Sequence, residues 1–248
     1  MTVLVGDLVN ISRSMVVFSM PKSGGVAIHM NLYNSVTYLA GNKIVETRPF
    51  APYHELPCEF LNDLSIELRS SKELSIFADV MSFAFWCRKA NISKLKRDFD
   101  NRETRLGRGV VFHITPSNVP VNFAFSFAFG LLSGNANVVR VPSKSFPQID
   151  IICSAIDKLF VLEKYKKIES MNAFIRYEQN EKITSTYSAN CNARIIWGGD
   201  ISIKNIRKFA VSERCVDIAF SDRYSLSVID VSSIIKLDEV ELMRLAER

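Results

Sequence analysis

From Val110 onward, apolar runs of strand length alternate with longer apolar stretches of helical period. The run Val110–Thr115, VVFHIT, is bounded by Gly109 and Pro116 and predicts a buried strand. After the turn Pro-Ser-Asn-Val-Pro, the segment NFAFSFAFGLL predicts a helix reaching Gly134, and Asn137–Val141, NVVRV, predicts a second strand closed by Pro142. Together these form one βαβ unit. Ile149, Ile152, Ile156 and Phe160 recur at helical spacing within Gln148–Leu162, which leads past a basic connector to a strand at Ala173–Tyr177. The alternation continues with a strand at Ala193–Trp197, a helix at Ile201–Phe209, strand candidates at Val216–Phe220 and Leu226–Ile229, and a helix at Glu239–Arg248. Repeated βα alternation predicts an α/β fold with a mainly parallel sheet and helices on both faces.

The N-terminal part reads differently. Residues 1–72 mix short apolar stretches with turn signals such as Ser23-Gly24-Gly25 and Gly41-Asn42, and predict a strand-and-loop region. Glu73–Lys89 is apolar on most sides and predicts a buried helix ending in a basic turn; Lys94–Arg108 reads as a solvated helix face or connector. Residues 73–248 therefore form the α/β domain, of Rossmann-like type.

Composition narrows the class. Hydrophobic residues at 48% and charged residues at 23% match a globular domain, which excludes disorder and a long coiled coil. The net charge of +5 suits an anionic ligand, but it is too small to support nucleic-acid binding, and the basic run Lys94–Arg108 is interleaved with acids and lacks an aromatic platform. The cysteines, Cys58, Cys87, Cys153, Cys191 and Cys215, include no CxxC pair, so no metal site is expected and a reducing compartment is. Asp7 interrupts any signal-like stretch, and the N-terminus reads as mature cytoplasmic sequence. The most apolar run, Val119–Leu132, is broken by Asn122 and Ser126 and is shorter than the ~20 residues of a membrane span.

In sheets of this kind ligands bind beyond the carboxyl ends of the strands, so three loops are candidates. In Thr115-Pro116-Ser117-Asn118-Val119-Pro120, two prolines stiffen the chain around Asn118, whose amide can donate to a developing oxyanion; the alternative is that Ser117 or Asn118 caps the next helix. Arg140-Val141-Pro142-Ser143-Lys144 places two cations and a hydroxyl where a ribose or its phosphate would bind, or else is a solvated basic loop. Trp197-Gly198-Gly199-Asp200 lets a ligand approach the backbone near a positive helix end, with Asp200 as the expected N-cap. No GxGxxG fingerprint occurs, which disfavours the common Rossmann dehydrogenases.

The segments ITPSNVPVNFAFSFAFGLLSGNANVVRVPSK and ARIIWGGDISIKNIR, followed by FSDRYS, resemble the acyl-CoA reductase family of bacterial bioluminescence. The resemblance runs from Gly107 to Asp230 and extends more distantly to the aldehyde dehydrogenase superfamily. It implies an aldehyde-dehydrogenase-like cofactor-binding domain and an NADPH-dependent (or NADH-dependent) reduction of a long-chain fatty acyl-CoA, or acyl-enzyme thioester, to the fatty aldehyde through an acyl-cysteine. Asn118 matches the asparagine that holds the thioester oxygen. Thr115, Pro116, Ser117, Arg140, Pro142, Ser143, Lys144, Gly198, Gly199 and Asp200 match the cofactor-binding turns. The partners implied are acyl-protein synthetase and acyl-transferase subunits and further copies in a homo-oligomer.

There is one departure. The family's Cys-Ser-Ser-Pro type motif is missing, so the chain reads as lacking the cysteine domain at its C-terminus and is expected to be inactive alone. The alternative reading is a nucleotide-binding or interaction remnant without catalysis. The five cysteines read as structural, His113 as a satisfied core histidine, and His29 and His54 as having no partner pattern.

Overall fold

The computed structural model describes residues 35–70, 76–99, 104–221 and 230–246. Strand β1 (Thr37–Gly41) is followed by helices α1 (Glu55–Ser70), α2 (Ala78–Trp86) and α3 (Lys89–Asp98). The alternating part then runs β2 (Val110–Ile114), α4 (Asn122–Leu132), β3 (Ala136–Arg140), α5 (Pro147–Phe160), a short turn of 3-10 helix at Glu163–Tyr165, and α6 (Lys166–Ser170). It continues with β4 (Asn172–Arg176), α7 (Glu181–Ala189), β5 (Ala193–Trp197), α8 (Asp200–Arg207), β6 (Val216–Phe220), α9 (Val231–Ile234) and α10 (Glu239–Ala246). The six strands lie in the order β1-β4-β3-β2-β5-β6. All neighbours are parallel except β1, which runs antiparallel to β4 at the edge.

Helices cover both faces, as the alternation predicts. On one face Phe127 of α4 meets Phe174 of β4 at 4.8 Å and Phe60 of α1 at 6.4 Å, and Phe60 stacks on Phe160 of α5 at 5.5 Å. On the other face Tyr187 of α7 packs on Phe112 of β2 at 5.3 Å, and the carbonyls of Ile206 and Phe209, at the end of α8, accept from Arg194 of β5. Burying such rings removes large apolar areas from water, and offset or edge-on pairs add to the gain.

The strand-and-loop reading of residues 1–72 is corrected at α1, a helix of 16 residues. Its buried positions, Pro57, Phe60, Leu61, Leu64, Ser65 and Leu68, follow the helical period, and Phe60, Leu61, Leu64 and Leu68 join the same apolar cluster as Phe127 and Phe160. Pro57 does not break it, because in the first turn the missing N–H would have had no partner. The single helix expected over Glu73–Lys89 begins at Ala78 and ends at Trp86, where a turn at Cys87 and Arg88 redirects the chain into α3. Residues 71–75 and the strand expected at Leu226–Ile229 lie outside the described residues.

Candidate functional site

Strands β2 to β6 are parallel, so their carboxyl ends share one rim, and a cleft of about 1270 Å³ opens there. The loop after β2 supplies Thr115, Pro116, Ser117, Asn118 and Val119. The Thr115 hydroxyl donates to the carbonyl of Arg140 at 2.7 Å, which ties this loop to the end of β3. Helix α4 starts with Val121 at its N-cap and no side-chain cap, so neither Ser117 nor Asn118 plays the capping role. Both side chains are exposed at the cleft.

From the loop after β3 come Arg140 and Ser143. The guanidinium of Arg140 lies 4.4 Å from the Tyr177 ring centre and donates to the Tyr177 carbonyl at 3.4 Å, while its Nε is buried without a partner. Pro142 is buried, and Lys144 is exposed with Nζ 5.2 Å from the Phe146 ring; neither lines the cleft. The loop after β5 contributes Gly198 and Gly199. Gly198 holds φ at +157°, a conformation that suits glycine. Asp200 is not the N-cap: Gly199 is, in extended conformation, and Asp200 is the exposed first residue of α8, where its charge still suits the positive helix end.

The cleft thus brings together Thr115, Pro116, Ser117, Asn118, Arg140, Ser143, Gly198 and Gly199, and leaves Pro142, Lys144 and Asp200 out of its lining. Sequence reasoning missed the loop after β4, where Glu178, Gln179 and Asn180 form another wall. Asn180 also caps α7, its side chain accepting from the Ile183 N–H at 3.1 Å, so an N-cap residue after a strand was the available signal. Asn122, in the first turn of α4, was missed as well; its Oδ1 is buried in the cleft wall without a partner.

Behind this rim lies a buried polar chain. Trp197 Nε1 donates to Ser126 Oγ at 3.1 Å, Ser126 pairs with His113 Nδ1 at 2.8 Å, and His113 Nε2 pairs with Asn137 Oδ1 at 3.0 Å. Asn137 in turn donates to Asn172 Oδ1 at 2.8 Å and to the Asn135 carbonyl at 3.0 Å. His113 is the satisfied core histidine that was expected; burial pushes its pKa down to about 4, against the opposing effect of Asn137. Arg194, also buried, holds Asp217 of β6 with contacts of 3.1 and 2.8 Å, and so ties β5 to β6 and to the end of α8.

None of the five cysteines lines the cleft, and all are free thiols. Burial pushes the Cys87 and Cys153 thiols far up, raises Cys58, and lifts Cys191 to about 12, with the Cys215 thiol 3.7 Å away adding to the shift. A nucleophile needs the opposite shift. Among the described residues there is no group of His, Cys, Asp and Glu able to hold a metal ion, and no helix long and apolar enough to cross a membrane.

A parallel sheet with β1 added antiparallel, and a ligand-sized cleft at its carboxyl rim, define an α/β domain, and its fold is like that of solved aldehyde dehydrogenases. Solved structures bear this out. A proline utilization A protein of Bradyrhizobium japonicum superposes with a TM-score of 0.51 at 17% identity, over 67% of this chain and 20% of that one. A lactaldehyde dehydrogenase superposes with a TM-score of 0.52 at 15% identity, over 66% of this chain and 39% of that one. This chain therefore spans less than half the length of either structure. No curated protein matches the sequence. The family model for acyl-CoA reductase (LuxC) matches residues 88–246, and the chain belongs to that family.

Proposed function

We propose that this chain is the nucleotide-binding part of an acyl-CoA reductase, in which NADPH, with NADH as the alternative donor, reduces a long-chain fatty acyl thioester to the fatty aldehyde. The observation that carries the reading is a cleft at one sheet rim whose wall holds two buried polar atoms without partners, the donor Arg140 Nε and the acceptor Asn122 Oδ1. A dinucleotide, with phosphate oxygens to accept and ribose hydroxyls to donate, satisfies both kinds of group.

In this reading Arg140 holds an anionic group of the cofactor, with its guanidinium braced on Tyr177. Exposed Lys144 adds positive charge near the same loop, and Ser143 offers a hydroxyl to a ribose. Gly198 and Gly199 allow close backbone approach beside the N-terminus of α8. The exposed carboxamide of Asn118 donates to the thioester oxygen as negative charge develops there. A nicotinamide held by these residues would supply the hydride that, with one proton, converts the thioester into aldehyde and free thiol. Because no cysteine of this chain lines the cleft, we assign the chain by itself cofactor binding and not turnover. Acyl-protein synthetase and acyl-transferase subunits, a homo-oligomeric assembly and a cytoplasmic setting belong to the same proposal.

The chain has two tryptophans, so a Trp86→Phe background leaves Trp197 as the reporter in the cleft wall. NADPH is expected to quench its emission. Arg140→Ala should weaken the response more than Lys144→Ala, since only Arg140 lines the cleft. Absence of quenching at millimolar NADPH would overturn the reading.

A further inference from the structure

The polar chain beneath the rim has one direction of donation, which starts at Trp197 in the cleft wall and runs away from it. An indole N–H only donates, so Ser126 Oγ accepts from Trp197 and its own proton is free for His113 Nδ1. A carboxamide oxygen only accepts, so His113 carries its proton on Nε2 and gives it to Asn137 Oδ1. Asn137 Nδ2 then donates to Asn172 Oδ1, and Asn172 Nδ2 donates to the Ile168 carbonyl at 2.5 Å. The chain thus crosses from β5 through α4 to β2, β3 and β4. Ser126, His113, Asn137 and Asn172 are all buried.

The fold makes room for this chain at a specific place. Gly130 of α4 passes so close to β2 and β3 that a Cβ there would collide with Asn137 Oδ1 and press on the His113 ring. At the far end the Trp197 ring is stacked on Phe220, 4.1 Å between centres and 14° from parallel, and both rings line the cleft. The indole is thus held at its nitrogen and along one face.

We propose that Ser126 and His113 are positioning residues that lock the indole of Trp197 as a fixed aromatic wall of the cleft, against which a planar part of the ligand packs. Neither residue lines the cleft, so both act through Trp197. The ligand half of this inference rests on the cofactor reading above; the anchoring of the indole does not.

The test uses the full chain with Trp86→Phe. Ser126→Ala removes the acceptor of the indole N–H and should shift Trp197 emission and increase its quenching by acrylamide. It should also weaken NADPH binding by about fivefold, as expected for one lost hydrogen bond of ~1 kcal/mol. Ser126→Thr keeps the hydroxyl and should restore both. His113→Phe should loosen the indole by releasing the Ser126 proton. As a control, Phe127→Ala lies on the same helix but packs on Phe60 and Phe174; it should lower Tm while leaving Trp197 emission unchanged. If Ser126→Ala does not fold, Trp197→Phe, read by the fluorescence of NADPH itself, should cost the same fivefold. Unchanged emission and quenching in folded Ser126→Ala would overturn the anchoring, as would an emission shift matched by Phe127→Ala. An emission shift with unchanged NADPH affinity would overturn the positioning role. No NADPH response in the parent would instead overturn the cofactor reading, and the emission data would still decide whether the indole is held.

Discussion

Strands β2 and β6 lie two places apart in one parallel sheet, yet they live in different surroundings. Every residue of β2 is buried, whereas β6 alternates between exposed and half-buried positions, with Val216 at 36%, Ile218 at 40% and Phe220 at 39% exposure. Both strands are rich in apolar and β-branched residues, so the difference does not come from intrinsic strand preference. It comes from cover. The face that α4 seals over β2 with Ser126 and Gly130 has no matching helix over β6 among the described residues, while the opposite face of β6 is tied down by the Asp217–Arg194 pair. Burial is a property of the layer above a strand more than of the strand.

The largest test of this contrast is Phe127→Ala at the centre. Phe127 is fully buried between Phe60 and Phe174, and the cavity left should cost about 4 kcal/mol in urea unfolding. Next comes acid. His113 is held neutral with a folded pKa of about 4 against an ordinary value of 6.5, so below pH 6.5 the unfolded chain takes up a proton that the folded chain refuses. Stability from this group is therefore full above pH 6.5 and is lost as pH falls toward 4, by up to about 3 kcal/mol. A series of thermal melts across that range checks it, and His113→Gln should flatten the slope. The smallest effect belongs to the edge: Ile218→Thr on the open face of β6 should change stability by less than about 1 kcal/mol. A cost as large as that of Phe127→Ala would mean that the β6 face is covered after all.

Much of the fold is legible along the chain. VVFHIT, NVVRV and ARIIW are short β-rich runs that stop at proline or glycine, and each sits within a residue or two of an observed strand. The same punctuation places the loops after β2, β3 and β5 on one rim, which is why eight of the proposed site residues line one cleft. Helix α1 was less legible, because Glu, Asn, Asp and an early proline mask an apolar stripe of helical period. Glu178 and Asn122 were passed over for a different cause: each looks like an ordinary connector or first-turn residue, and only the cleft gives it a role.

What the sequence determines by itself is local: which segments bury one face, where glycine and proline end them, and hence the alternation that forces a parallel sheet. Tertiary structure decided which polar groups meet. Trp197 and Ser126 are 71 positions apart, and His113 and Asn137 are 24 apart. They join because the order β4-β3-β2-β5 lays their strands side by side beneath one helix. Pattern along a chain records how each element meets water or core; the pairing of side chains between elements follows from packing of the whole, where a buried donor must find its acceptor or the fold loses stability.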